Sequence, residues 1–271
     1  MKYLIVNADD FGLSELTNEG IIKGHREGIV TSTSIMANMP AFLHAVKLAR
    51  RYKALGVGVH LNLTTGKPLS GNKSLCNEKG EFHPDNLKRL LKRNLSIWDI
   101  ENELRMQIRK VKESKIRITH LDGHKHIHVL PKVRKVIVKL SREYGIKYVR
   151  LPYERFSDIT HFSLKKYVVN FSARASSKLW KAHGLAYPDH FFGTTYTGKA
   201  NYQNLYSLVS SVKDGVNEIM VHPGLYDKAL ESKLTISREI ELRALMSPGI
   251  RQGISKFYIR LINFGDLNEI H

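Results

Sequence analysis

The chain has one cysteine in 271 residues, Cys76, so no internal disulfide can hold it together. Nothing around Cys76 resembles the partner set of a nucleophilic thiol, and a reducing compartment suits such usage. No apolar stretch approaches the roughly 20 residues that span a bilayer, which excludes an integral membrane protein. The apolar start, Tyr3-Leu4-Ile5-Val6, is too short for a secretory signal and runs directly into acids that are candidates for chemistry, so a cytoplasmic protein is expected. Internal repeats, low-complexity tracts and an interdomain linker are also missing. With 42% hydrophobic and 25% charged residues at this length, a single domain over 1–271 with a sizeable core is expected. Acids are scarce: 25 against 43 lysines and arginines leave a net charge of +18, enough to steer polyanions to the surface. Nucleic acid, anionic headgroups and acidic glycans all qualify on charge. The basic residues are nevertheless scattered along helix-like stretches such as 87–93 and 108–112, where a solvated helix face explains them.

Short β-branched runs alternate with longer segments of helical period, the pattern of βα units around a parallel sheet. Strands are predicted over 3–8, 30–36, 56–61, 116–121, 147–151, 218–221 and 257–262, and helices over 14–27, 41–52, 96–113, 132–144, 164–183, 202–212 and 237–245. Ser14 and Ser96 suit N-caps and Pro131 a first helical turn. Residues 64–86, rich in Gly, Pro, Asn and Lys, read as a long loop. A second irregular stretch, 184–201, carries Tyr187, His190, Phe191, Phe192 and Tyr196, a composition that suits either stacking on sugar rings or a packed loop.

Acids and histidines follow the apolar runs. Asp9 and Asp10 end the first strand, His60 ends Gly-Val-Gly-Val-His-Leu, and Asp122, His124, His126 and His128 follow Ile116-Arg117-Ile118-Thr119. In a parallel α/β sheet such carboxyl-terminal strand ends converge, so oxygen and imidazole donors far apart in sequence can meet around one ion. Asp10, His60 and His124 are the candidate metal ligands. Adjacent side chains diverge on a strand, which leaves Asp9 free to accept a proton. From His120 to His128 polar residues alternate, so an extended run would put five on one face. His222, in Val221-His222-Pro223-Gly224, ends another strand and can donate a proton, and Arg150 before Leu151-Pro152 can hold a carboxylate.

Asn7-Ala8-Asp9-Asp10-Phe11-Gly12, Ile29-Val30-Thr31-Ser32-Thr33-Ser34, Gly58-Val59-His60-Leu61-Asn62-Leu63-Thr64, Thr119-His120-Leu121-Asp122-Gly123-His124-Lys125-His126-Ile127-His128 and Val221-His222-Pro223 together resemble, in order, the YdjC-like carbohydrate deacetylases. That family includes chitooligosaccharide and hopanoid-associated deacetylases. The resemblance spans 7–223 and is looser over 156–199. It implies a distorted (β/α) barrel, TIM-like and related to the NodB-type polysaccharide deacetylases. It also implies Asp10, His60 and His124 as ligands of magnesium or zinc, Asp9 as catalytic base and His222 as general acid. An acetylated carbohydrate is then the substrate, a homodimer the expected assembly, and specific nucleic acid no partner. Ligand preference favours zinc for two imidazoles and a carboxylate, because magnesium prefers all-oxygen shells.

The implied reaction is metal-assisted removal of an N-acetyl group, with release of acetate. Two other readings stay open on the residues alone. Another metal-assisted hydrolase, such as a phosphoesterase, fits the same barrel, and a non-catalytic binder of nucleic acid or anionic surfaces fits the charge.

Overall fold

Parallel strands buried on both faces must be apolar almost throughout, and the short β-branched runs satisfy this in one eight-stranded parallel sheet. A computed structural model describes residues 1–92, 94–154, 164–230 and 234–270. Its strands are β1 (Lys2–Phe11), β2 (Ser32–Ile35), β3 (Gly56–Leu61), β4 (Ile118–Gly123), β5 (Tyr148–Val149), β6 (His190–Phe192), β7 (Gly215–Val221) and β8 (Ile259–Leu261). They lie in the order β5-β4-β3-β2-β1-β7-β6, and β8 pairs with the first residues of β1. The helices are α1 (Glu15–Glu27), α2 (Phe42–Arg51), α3 (Asn86–Leu91), α4 (Ile97–Glu113), α5 (Pro131–Tyr144), α6 (Leu164–Ala182), α7 (Tyr202–Ser210), α8 (Thr235–Leu245), α9 (Pro248–Lys256) and α10 (Leu267–Ile270).

Local signals set these boundaries. Ser14 Oγ accepts the Thr17 N–H and Ser96 Oγ the Trp98 N–H, and Pro131 opens α5. α4 buries Ile100, Leu104, Ile108 and Val111 at helical spacing and turns Arg109 and Lys112 to solvent. Lys88 of α3 is likewise exposed, while Arg93 lies outside the described residues. No helix among the described residues is long and apolar enough to cross a membrane.

The sheet is curled into a distorted, incompletely closed barrel. Four places separate β5 from β1, about 19 Å in a flat sheet at the usual strand spacing. Arg150, directly after β5, nonetheless reaches Asp9 of β1 and Glu218 of β7 at 2.7 and 2.6 Å. Only curling brings those strands within one side chain's length. The two edges are further linked where Val149 N–H donates to the Ala186 carbonyl, just ahead of β6.

Three sequence expectations need correction. The stretch 184–201 is not wholly irregular, since it contains β6, and Phe191 and Phe192 are 3 and 4% exposed, so packing rather than sugar stacking explains them. α9 occupies 248–256, where no helix was predicted. The run after His120 does not stay extended: β4 stops at Gly123, and Lys125 and His126 take left-handed φ of 55° and 59° in a turn that disperses the histidines.

Candidate active site and metal centre

Both acids at the end of β1 are displayed inward because the strand is irregular there. Ala8 pairs with Thr33 but Phe11 with Ile35, so β1 carries one extra residue at Asp9-Asp10, and Asp10 takes φ 70°. A bulge of this kind breaks the alternation that would otherwise send neighbouring side chains to opposite faces, and aspartate tolerates the left-handed region better than most residues. Both acids are buried and reach different partners.

Asp9 is gripped by Arg150. Nη1 donates to Asp9 Oδ2 and Nη2 to Oδ1, each at 2.7 Å, while Asn7 Nδ2 adds a bond to Oδ1 at 2.9 Å. The same guanidinium donates through Nε to Glu218 at 2.6 Å, and its Nη1 lies 2.8 Å from Asp122 Oδ2. Arg150 is fully buried, with Phe191 beneath it at 5.8 Å, and three carboxylates justify a charge at that depth. Its backbone carbonyl is bonded by His128 Nε2 at 3.0 Å, and His128 stacks on Trp180, so that histidine supports Arg150 rather than an ion. His126 packs edge-on against Phe191.

Asp10 is the contrasting acid. Its Oδ2 accepts from Arg238 Nη2 of α8 at 2.5 Å, whereas its buried Oδ1 has no hydrogen-bond partner and faces His60 Nε2 at 3.5 Å. Burial opposes the charge, but Arg238, His124, His60 and His222 together hold the carboxyl far below the usual carboxylate range.

The imidazoles are oriented from behind. β3 and β4 place His60 opposite Asp122, and His60 Nδ1 bonds Asp122 Oδ1 at 2.8 Å, which turns Nε2 toward Asp10. Asp122 is itself held by Ser34 Oγ at 2.7 Å, and Ser34 also meets Asn7 and His120. His124 Nδ1 bonds Thr64 Oγ1 at 2.6 Å, so the loop after β3 fixes its ring and leaves Nε2 available. The rings of His60 and His124 lie 5.9 Å apart. Burial lowers His60, but Asp122 and Asp9 outweigh it and push the imidazole up to about 9, so its proton is held among these acids. Burial pulls His124 down to about 3 and keeps it neutral, as a metal ligand must be, and it also lowers His222.

Among the described residues one group gathers its donor atoms, and it is not the predicted set of Asp10, His60 and His124. Asp9, His60 and Asp122 each offer an atom within 4.8 Å of the others. Every oxygen of that pair of acids is already bonded or ion-paired, however, and His60 Nδ1 is used by Asp122. Asp10 Oδ1 lies outside that group, 3.5 Å from His60 Nε2 and without a hydrogen bond among the described residues, and His124 is anchored through Nδ1 so that its Nε2 is not used by Thr64.

Ser34, Glu218, Arg238 and Glu241 complete the site and were not proposed as functional from the sequence. Glu218 interrupts the apolar run of β7, a readable sign, whereas Arg238 sits in Ser237-Arg238-Glu239, which looks like any exposed helix face. A close approach also shapes the floor: a Cβ on Gly58 would lie 2.4 to 2.5 Å from the His120 ring, which stacks on Phe264 at 3.8 Å. Gly58→Ala should therefore cost about 1–3 kcal/mol of stability by overpacking, read as a lower urea midpoint with unchanged slope.

A family model described as YdjC-like protein matches residues 3–256. The carbohydrate deacetylase of Brevibacillus brevis is 35% identical over 270 residues, covering 97% of this chain and 99% of that protein. The chitooligosaccharide deacetylase of Yersinia enterocolitica is 35% identical over 269 residues, covering 98% and 99%. A solved structure from Enterococcus faecalis V583 superposes with a TM-score of 0.82 at 28% identity, over 98% of each chain. Matched from end to end in sequence and in fold, this chain belongs to the YdjC-like family.

Proposed function

We propose that this chain is a metal-dependent deacetylase that hydrolyses the acetamide of an N-acetylated amino sugar or oligosaccharide. The observation that carries the reading is Asp10 Oδ1, a buried carboxylate oxygen without a partner, beside two imidazoles whose far nitrogens are already anchored. The full-length relatives named for carbohydrate and chitooligosaccharide deacetylation supply the substrate class.

Asp10, His60 and His124 would hold the cation, zinc by donor chemistry or magnesium. A cation so held polarises an acetamide carbonyl and lowers the pKa of water. Asp9, fixed by Arg150, accepts the proton from that water as its oxygen bonds to the carbonyl carbon. The C–N bond then breaks as His222 donates a proton to the departing nitrogen, giving acetate and a free amine.

The test is acetate release from N-acetylglucosamine oligosaccharides by metal-stripped protein, with zinc or magnesium restored. The expected result is release that needs added metal. Phosphate release from sugar phosphates without acetate release would instead select a phosphoesterase, and binding of nucleic acid that survives loss of Asp10, His60 and His124 would select the basic binder.

A further inference from the structure

Arg238 enters the site from α8, 228 residues beyond its partner Asp10. It is 2% exposed, yet among the described residues only Nη2 is used: the N–H groups of Nε and Nη1 are buried without acceptors there. Buried unpaired donors cost about 1–3 kcal/mol each, so this arginine is poorly placed for stability alone. Its position makes sense from the other end of the contact. Asp10 has two oxygens; one is engaged by Arg238 at 2.5 Å and the other is left bare toward His60.

The helix that carries Arg238 is itself locked to the rim. The Gly224 N–H donates to the Arg238 carbonyl, the arginine stem packs on Gly224, and Glu241, one turn on, accepts the backbone N–H of His222. α8 thus holds the end of β1 through a side chain and the end of β7 through backbone contacts.

We propose that Arg238 is a positioning residue that takes Oδ2 of Asp10 out of use, so that Asp10 can offer a cation one oxygen only. The inference rests on the assignment of Asp10 as a ligand in the proposed function. A carboxylate free to chelate through both oxygens adds a donor and crowds the positions that water and substrate need, and coordination number is visible in the electronic spectrum of a transition metal.

The probe is cobalt(II) added to metal-stripped protein, followed by visible absorption, with far-UV circular dichroism as the check on folding. In the wild type, a cobalt band that disappears in His124→Ala confirms that the probe occupies this site. Arg238→Met is expected to bind cobalt with the band weakened by about half or more, as an added oxygen donor raises the coordination number. Arg238→Lys, which keeps a cationic donor for Oδ2, should return the band toward that of the wild type. An Arg238→Met spectrum identical to wild type overturns the inference. Should that variant not fold, Arg238→Leu, which likewise has no donor for Oδ2, gives the same comparison with the same two outcomes. If the wild type takes up no cobalt at all, it is the assignment of Asp10, His60 and His124 that fails.

Discussion

Asp9→Asn is expected to lower acetate release about 10²- to 10⁴-fold at saturating metal while leaving metal affinity close to that of the wild type. The substitution removes the proposed proton acceptor but touches none of the proposed donor atoms on Asp10, His60 and His124. A structural effect competes with this reading, because Asp9 is one of the carboxylates that neutralise buried Arg150. Its size is limited: Glu218 and Asp122 remain against the guanidinium, and an asparagine oxygen can still accept from it. The activity loss should therefore exceed anything a modest drop in melting temperature explains. A variant that keeps its fold and releases acetate within tenfold of the wild type would remove Asp9 as the base.

The largest loss of stability should come from Arg150→Met. Removing one partner from a buried ionic network costs about 3–5 kcal/mol, a sizeable share of the roughly 5–15 kcal/mol that holds a typical protein together. Here the loss strands Asp9, Asp122 and Glu218 at once. The pH dependence follows from their surroundings. Burial already pushes Glu218 up to about 7 with Arg150 beside it, and loss of that cation pushes it further above its unfolded value. A folded Glu218 that keeps a proton the unfolded chain has released costs nothing below about pH 4, and its cost to the variant grows as pH rises toward neutrality. Urea unfolding at pH 5 and pH 8 checks this: the gap between wild type and variant should be wider at pH 8. An equal gap would mean that Arg150 does not set the charge state of Glu218.

Much of this architecture is legible in the residues. Gly56–Leu61 reads as a strand over its whole length because every position is buried, and buried parallel strands lack the polar alternation that blurs boundaries. Asp9, Asp10, His60 and His124 stand out because polar residues directly after apolar runs have few structural excuses. The rest is hidden for physical reasons. β6 spans only His190–Phe192, too short for a period to show. The alternation from His120 to His128 is a strand signal that the left-handed turn at Lys125 and His126 overrides. The bulge that turns both acids inward has no compositional mark, and Arg238 is indistinguishable from a solvated helix residue until the chain has closed on itself.

That closure gives Arg150 a meaning beyond the site. A single guanidinium joins β5, near one edge of the sheet, to β1 and β7, so the residue that orients the proposed base also clasps the barrel across its interior. The clasp links Asp9 to an arginine 141 residues on and that arginine to Glu218 a further 68 on, so a fragment ending before β7 cannot complete it. On the proposed mechanism, a partly folded chain has no oriented proton acceptor until β5 meets β1. On that mechanism, orienting the base requires the same closure that brings β5 to β1 and β7.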